Sequence, residues 1–164
     1  MSTSAAKSSV LLDFYKTEYN DGLRSFYLPD EQLQFSALPH EVLTAAAQDP
    51  HRYPVVILAD SKPVGFFVLY DGEEIALYSD DPQTIVLRAF SVNHAEQGKG
   101  YAKQGLLLLP DFVRKQFPLA RIVGLGVNMK NSPARNLYLK CGFEDHGRTK
   151  IGPLGPQHIL TLPL

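Results

Sequence analysis

The segment Gln97-Gly98-Lys99-Gly100-Tyr101-Ala102 sets two glycines and a lysine between a β-rich run, 84–92, and an apolar-periodic stretch that begins at about 101. A strand, a glycine turn and a helix start bring several unpaired backbone N–H groups to one point, at the positive end of the helix dipole. Glycine lets the backbone approach an anion closely and take positive φ. Lys99 and Lys103 add positive charge. In physical terms this is a pyrophosphate cradle, although the two glycines alone would equally suit an ordinary strand-to-helix turn. Other phosphate loops do not fit. The Walker pattern needs Lys-Ser/Thr after its last glycine, where Tyr101-Ala102 stand. The dinucleotide fingerprint needs glycine where Lys103 stands, an early place in the chain and a later acidic residue.

Other residues offer weaker chemistry. Cys141, the only cysteine, has no histidine in a recognisable partner position, and its place at a helix end suits a small buried residue better than a nucleophile. A lone cysteine also leaves no intramolecular disulfide and no Cys-rich zinc site. His40, His51, His146 and His158 show no metal-ligand spacing, so no metal is expected. Glu73, Glu74, Asp80 and Asp81 lie in a polar connection and His94 in a loop; each reads first as a solvated side chain. None is an obvious general base, and deprotonation through a water chain needs none.

The elements that must position these residues are legible from residue 55 onward. Runs 55–59 and 64–70 predict a hairpin covered on both faces. Run 84–92 predicts the strand before the loop. Ala102, Leu106, Leu109, Val113 and Phe117 recur at helical spacing over 101–117. Pro110 predicts a kink there or a helix in two pieces. A strand at 121–127, a helix at 132–140 capped by Asn131 and closed by Cys141-Gly142-Phe143, and strands near 144–150 and 157–162 follow. Before residue 55, a strand at 10–15 and two short helices, around 33–37 and 41–47, are expected between prolines. An α/β sandwich with a mixed sheet follows.

Gln97, Gly100 and Ala102 match (Gln/Arg)-x-x-Gly-x-(Gly/Ala), and 131–143 follows an Asn-x-x-Ala-x-x-Leu-Tyr-x-x-x-Gly-Phe pattern. With these two blocks in order, covering roughly 84–150, the chain resembles the Gcn5-related (GNAT) N-acetyltransferases. The resemblance implies an α/β fold with a mixed, mostly antiparallel sheet flanked by helices, splayed between its two central strands. It implies transfer of the acetyl group of acetyl-CoA to a primary amine of a small molecule or peptide by direct attack, with acetyl-CoA as acyl-donor substrate. Ser91 and Val92 would offer main-chain groups to the pantetheine arm. Backbone N–H groups of Gln97, Gly98, Lys99, Gly100, Tyr101 and Ala102 would hold the pyrophosphate. Asn131 would contact the cofactor arm, and Arg135 would reach its phosphates. Tyr138 would be the general acid that protonates the leaving thiolate; without the motif it would read as a packed aromatic. Many relatives carry a Glu on the strand before the loop, whereas Thr84, Arg88 and Ser91 are the polar residues here. The acceptor wall would come from 22–47 and 151–157, where Phe26, Tyr27 and Phe35 with Asp30, Glu31 and Glu41 offer rings and carboxylates to a cationic amine.

Composition sets the frame. The 164 residues, 45% hydrophobic, suit a single acyltransferase domain over 1–164. Sixteen basic against seventeen acidic side chains, net charge -1, give no global field for nucleic acid or an anionic membrane, and neither is expected as a partner. Residues 1–9 are small and polar with no signal-like apolar stretch, and the apolar runs are too short to span a bilayer, so a cytoplasmic monomer or homodimer is expected. Two rival readings stand beside transfer: a non-catalytic CoA-binding or regulatory module of the same fold, and a nucleotide-phosphate-binding protein.

Overall fold

The computed structural model describes residues 9–164, so the reading of the polar N-terminus lies outside it except for Ser9. The chain forms β1 (Val10–Phe14), α1 (Asn20–Arg24), α2 (Asp30–Leu33), α3 (Pro39–Ala46), β2 (Arg52–Ala59) and β3 (Lys62–Tyr70). A short 3-10 turn at Glu73–Leu77 leads to β4 (Thr84–Val92), and another at His94–Glu96 leads to α4 (Tyr101–Gln116). Then come β5 (Ile122–Asn128), α5 (Ser132–Lys140), β6 (Glu144–Gly152) and β7 (Gly155–Pro163). The strands make one seven-stranded sheet in the order β1-β2-β3-β4-β5-β7-β6. Only β4 and β5 run parallel, joined by the α4 crossover that parallel neighbours require. The expected mixed, mostly antiparallel sheet flanked by helices is the fold.

The central hairpin is apolar on both faces because helices cover both. Val55, Ile57, Phe67 and Leu69 point to one side, where Leu106, Leu109 and Val113 of α4 complete the larger core. Val56, Leu58, Phe66 and Val68 point to the other, against Leu23 and Phe26 from the α1 region and Val42 of α3. This is the period-2 alternation of a strand, with both faces apolar. Gly105 permits close approach of α4: a Cβ there would lie 2.8 Å from Ile57 Cδ1.

Two expectations are revised. Of the kink or the break expected at Pro110, the break does not occur: α4 runs unbroken through Pro110. Burial of Leu106, Leu109 and Val113 around the proline offsets the missing backbone bond, which costs roughly 3 kcal/mol in isolation. Upstream, the region has three short helices rather than two. The one expected at 33–37 forms one turn earlier, directly after Pro29 and with Asp30 and Glu31 in its first turn, where acidic side chains suit the dipole.

Candidate active site

The central feature is where β4 and β5 part. They pair only from Thr84↔Ile122 to Leu87↔Leu125, although β4 continues to Val92 and β5 to Asn128. Beyond Leu87, β4 stays with β3 but bulges: Arg88 faces Val68 and Ser91 faces Phe66, so two residues oppose Phe67. Ala89 takes the extra step at φ 56°, a left-handed conformation that costs a non-glycine residue about 1–2 kcal/mol. A bulge bends its strand and sharpens the twist. The bend carries the end of β4 away from β5 and opens a cleft of about 840 Å³ between them.

Ser91, Val92, Gln97, Ala102, Asn131 and Tyr138 line that cleft together. Ser91 Oγ is buried with no hydrogen-bond partner among the described residues. Asn131 caps α5 by accepting from Ala134 N at 3.3 Å, as the sequence suggested, and the helix ends at Gly142, φ 102°. Gly98, Lys99 and Gly100 form the exposed loop between Gln97 and α4, outside the cleft lining, with the half-buried Tyr101 beginning the helix. Gly98 and Gly100 have φ 82° and 84°. A Cβ on Gly98 would meet nothing within 4 Å, and one on Gly100 only Gln104 Nε2 at 3.5 Å. These glycines are therefore required by backbone conformation and leave the loop's outer face open to a ligand.

Three of the expected site side chains make contacts within the protein itself. Lys99 is turned onto Glu96, 2.9 Å away, and Lys62 reaches the same carboxylate at 2.8 Å. Hydrogen bonds from Lys62 and then Lys99 hold Glu96 below the usual carboxylate range. Gln97 Nε2 donates to Val92 O at 2.9 Å and shares paired amide bonds with Gln32 of α2. It ties the loop to β4 and to the N-terminal helices. Arg135 is outside the cleft lining, paired with Asp145 of β6 at 2.9 Å. Nothing in the sequence marked Asp145 as its partner, because the contact joins two elements through tertiary packing.

Tyr138 lies at the cleft's inner wall, its ring edge-on to Phe90 and Phe143 at centroid distances of 6.1 and 5.8 Å. Its hydroxyl has no hydrogen-bond partner among the described residues. Burial pushes the phenol's pKa well above its ordinary value, which keeps the proton on the oxygen. Cys141 is buried and outside the lining, and burial raises its thiol more than nearby Lys103 lowers it. His94 is exposed with its ring against Tyr27 and does not line the cleft. No group of three or more His, Cys, Asp or Glu side chains suited to a metal occurs among the described residues.

Two further cleft-lining residues were given no role in the sequence reading. Arg88 lies over the ring of Tyr70, 4.1 Å from its centroid, and Nη2 donates to Glu74 Oε1 at 3.0 Å and Tyr78 Oη at 3.4 Å. Asn128, buried at the end of β5, donates to Leu154 O at 2.9 Å and so holds the β6–β7 tip at the cleft. Of the acceptor residues suggested upstream, Glu31 and Phe35 line the cleft. Phe26 is in the core, Tyr27 is 61% exposed, and Asp30 is not in the lining. Glu41 instead lines a separate cavity of about 320 Å³ beside α3.

Comparison with known proteins agrees with this geometry. Residues 18–143 match the model of the acetyltransferase (GNAT) family. The chain is 47% identical over 152 residues to an uncharacterized N-acetyltransferase, YbbJ, of Bacillus subtilis, covering 92% of this chain and 95% of that one. In fold it is similar to the aminoglycoside acetyltransferase AAC(6')-Ib in complex with coenzyme A and kanamycin, at TM-score 0.72 and 20% identity, over 94% of this chain and 95% of that chain. A chimera of the Vibrio cholerae spermidine N-acetyltransferase SpeG with hSSAT matches at TM-score 0.68 and 16% identity, over 95% of this chain and 96% of that chain. No helix among the described residues is long and apolar enough to cross a membrane.

Proposed function

This chain belongs to the GNAT acetyltransferase family, and from that premise we propose that it transfers the acetyl group of acetyl-CoA directly to a primary amine. The parting of β4 from β5, with Tyr138 beside the gap, is the observation that carries the reading. Main-chain groups around Ser91 and Val92, where β4 no longer pairs with β5, are suited to the pantetheine arm, with Val92 O already accepting one bond from Gln97. The Gly98–Gly100 turn and the N-terminus of α4 suit the pyrophosphate, through backbone N–H groups rather than Lys99, whose charge is shared with Glu96. Asn131, which lines the cleft, would contact the arm.

In the reaction the neutral amine nitrogen bonds to the thioester carbon, the C–S bond breaks, and the sulfur leaves with the electron pair. Tyr138 donates its proton toward that sulfur. A free thiol, with a pKa of about 8.5, is a stronger acid than a phenol near 10, and burial widens the gap. Complete transfer therefore requires that the proton lost by the attacking amine be returned to the phenol. The products balance as N-acetylated amine and free CoA thiol. Arg135 serves the site indirectly, by fastening α5 to β6 through Asp145.

An acceptor screen with acetyl-CoA and free-thiol detection tests the proposal. Amine-dependent thiol release is expected. CoA binding without amine-dependent release across small amines and peptides would favour the non-catalytic module.

A further inference from the structure

We propose that the protein acetylates its own Lys150 when no other acceptor fills the cleft; this rests on the acetyl-transfer reading. Of the described lysines, Lys150 alone lines the cleft. Lys16 is paired with Asp13, and Lys62 and Lys99 are both paired with Glu96. Lys150 forms no ion pair among the described residues. Its Nζ donates to Gln157 Oε1 at a long 3.4 Å and lies 5.5 Å from the centroid of the Tyr78 ring. A weak hydrogen bond and a cation–π contact keep the amine near one place without enclosing it.

Those two contacts set the amine at the gap between the strands. The last β4–β5 pair is Leu87↔Leu125, so Gly126 is the first β5 residue beyond it. A Cβ on Gly126 would strike Gln157 Oε1 and lie 3.5 Å from Tyr78 Cε1. The carboxamide and the ring that hold Nζ therefore cover the backbone where β5 leaves β4. Gln157 and Ile159 share one face of β7, and Ile159 packs with Tyr78 on that side of the sheet. Tyr138 belongs to the core on the α4 side. Amine and phenol thus approach the gap from opposite faces, with the path of a thioester between them. The step balances as the main reaction does. Neutral Nζ bonds to the thioester carbon, the C–S bond breaks, and the sulfur leaves with the electron pair. The proton lost by nitrogen ends on sulfur by way of Tyr138, giving N-acetyl-lysine and free CoA thiol. An amine held beside the donor reacts at an effective concentration that a diffusing lysine does not reach. The step is therefore intramolecular and stops at one acetyl group per chain.

The test incubates the purified protein with acetyl-CoA and no acceptor, then follows intact mass and a peptide map over time. Acetylation is expected at Lys150, at least about 100-fold faster than at the exposed Lys115 and Lys130. Its rate constant should not change when the protein is diluted. Tyr138→Phe should slow it by at least about 100-fold, whereas uncatalysed acylation of surface lysines would not respond. Lys150→Arg, which keeps the charge on the Tyr78 ring, should leave the chain unmodified; if that variant does not fold, the wild-type map decides alone. No acetyl group on Lys150, equal labelling of Lys115 and Lys130, a rate constant that rises with protein concentration, or a rate indifferent to Tyr138→Phe overturns the inference. The acceptor screen run in parallel separates the two claims. Amine-dependent thiol release with Lys150 unmodified overturns self-acetylation and leaves acetyl transfer standing, while the absence of both overturns both.

Discussion

Tyr138 and Cys141 sit three residues apart on α5 and its cap, and their surroundings assign them different chemistry. Tyr138 reaches the cleft and is held protonated by burial. Replacing it with Phe keeps the ring packed on Phe90 and Phe143 and removes only the hydroxyl. Tyr138→Phe is expected to lower the single-turnover rate by about 10²–10⁴-fold, roughly 3–5 kcal/mol of barrier, with little change in acetyl-CoA affinity. A folded variant with a near-normal single-turnover rate would remove the hydroxyl from the mechanism. Cys141 is kept as a thiol by burial and is off the cleft, so Cys141→Ala should retain most activity at a stability cost of about 1 kcal/mol. Mass spectrometry that trapped an acetyl group on Cys141 at the turnover rate would reverse that assignment.

At the scale of elements, the loop between β4 and α4 depends on two left-handed glycines and on the anchors around them. Lys62 and Lys99 fix Glu96, while Gln97 bonds to Val92 O and Gln32. Gly100→Val would put a β-branched residue at φ 84°, where even an unbranched side chain costs about 1–2 kcal/mol. No buried neighbour is struck, since the added Cβ meets only Gln104 Nε2. The domain should therefore fold while the loop relaxes out of its anion-facing shape, and CoA affinity should fall at least about tenfold. Isothermal calorimetry on the folded variant checks this; unchanged affinity would place the pyrophosphate elsewhere.

Across the whole molecule, four carboxylates are held below their ordinary range by the fold. Burial raises Asp13, but hydrogen bonds from Tyr19 and Lys16 outweigh it. Asp81 accepts from the Gln83 backbone and pairs with Arg121, Glu96 is held by Lys62 and Lys99, and Asp145 by Arg135. Each folded-state pKa is depressed, so its contribution is present above the unfolded values of about 3.9–4.3. It is lost as pH falls through the folded values, because the unfolded chain then binds more protons. Thermal melting should show stability flat from neutral pH to about 5 and falling steeply below about 4. Glu96→Gln and Asp145→Asn should each flatten that fall; an unaltered acid slope in both would show that these pairs carry none of it.

Much of the chain could be read without coordinates where local signals agreed. The apolar hairpin, the glycine turn before α4, and the Asn131 cap with Gly142 closing α5 depend on propensity, periodicity and backbone conformation encoded by near neighbours in sequence. The cleft-lining Ser91, Val92, Gln97, Ala102, Asn131 and Tyr138 were accessible for the same reason, once the two motif blocks were recognised. Tertiary structure alone decided the rest. The unbroken α4 required burial on the sheet to offset Pro110. Arg135 went to Asp145, Lys99 to Glu96 and Gln97 to Gln32, since a long polar side chain takes whichever partner packing brings within about 3 Å. Arg88 had no local signature, because its rings and its acidic partner come from β3 and the turn that follows it. Sequence by itself determined the elements from residue 55 onward and where the glycine loop lies; the sheet's order, the place after Leu87 where it parts and the charged lining of the cleft were settled only by contacts between elements distant in the chain.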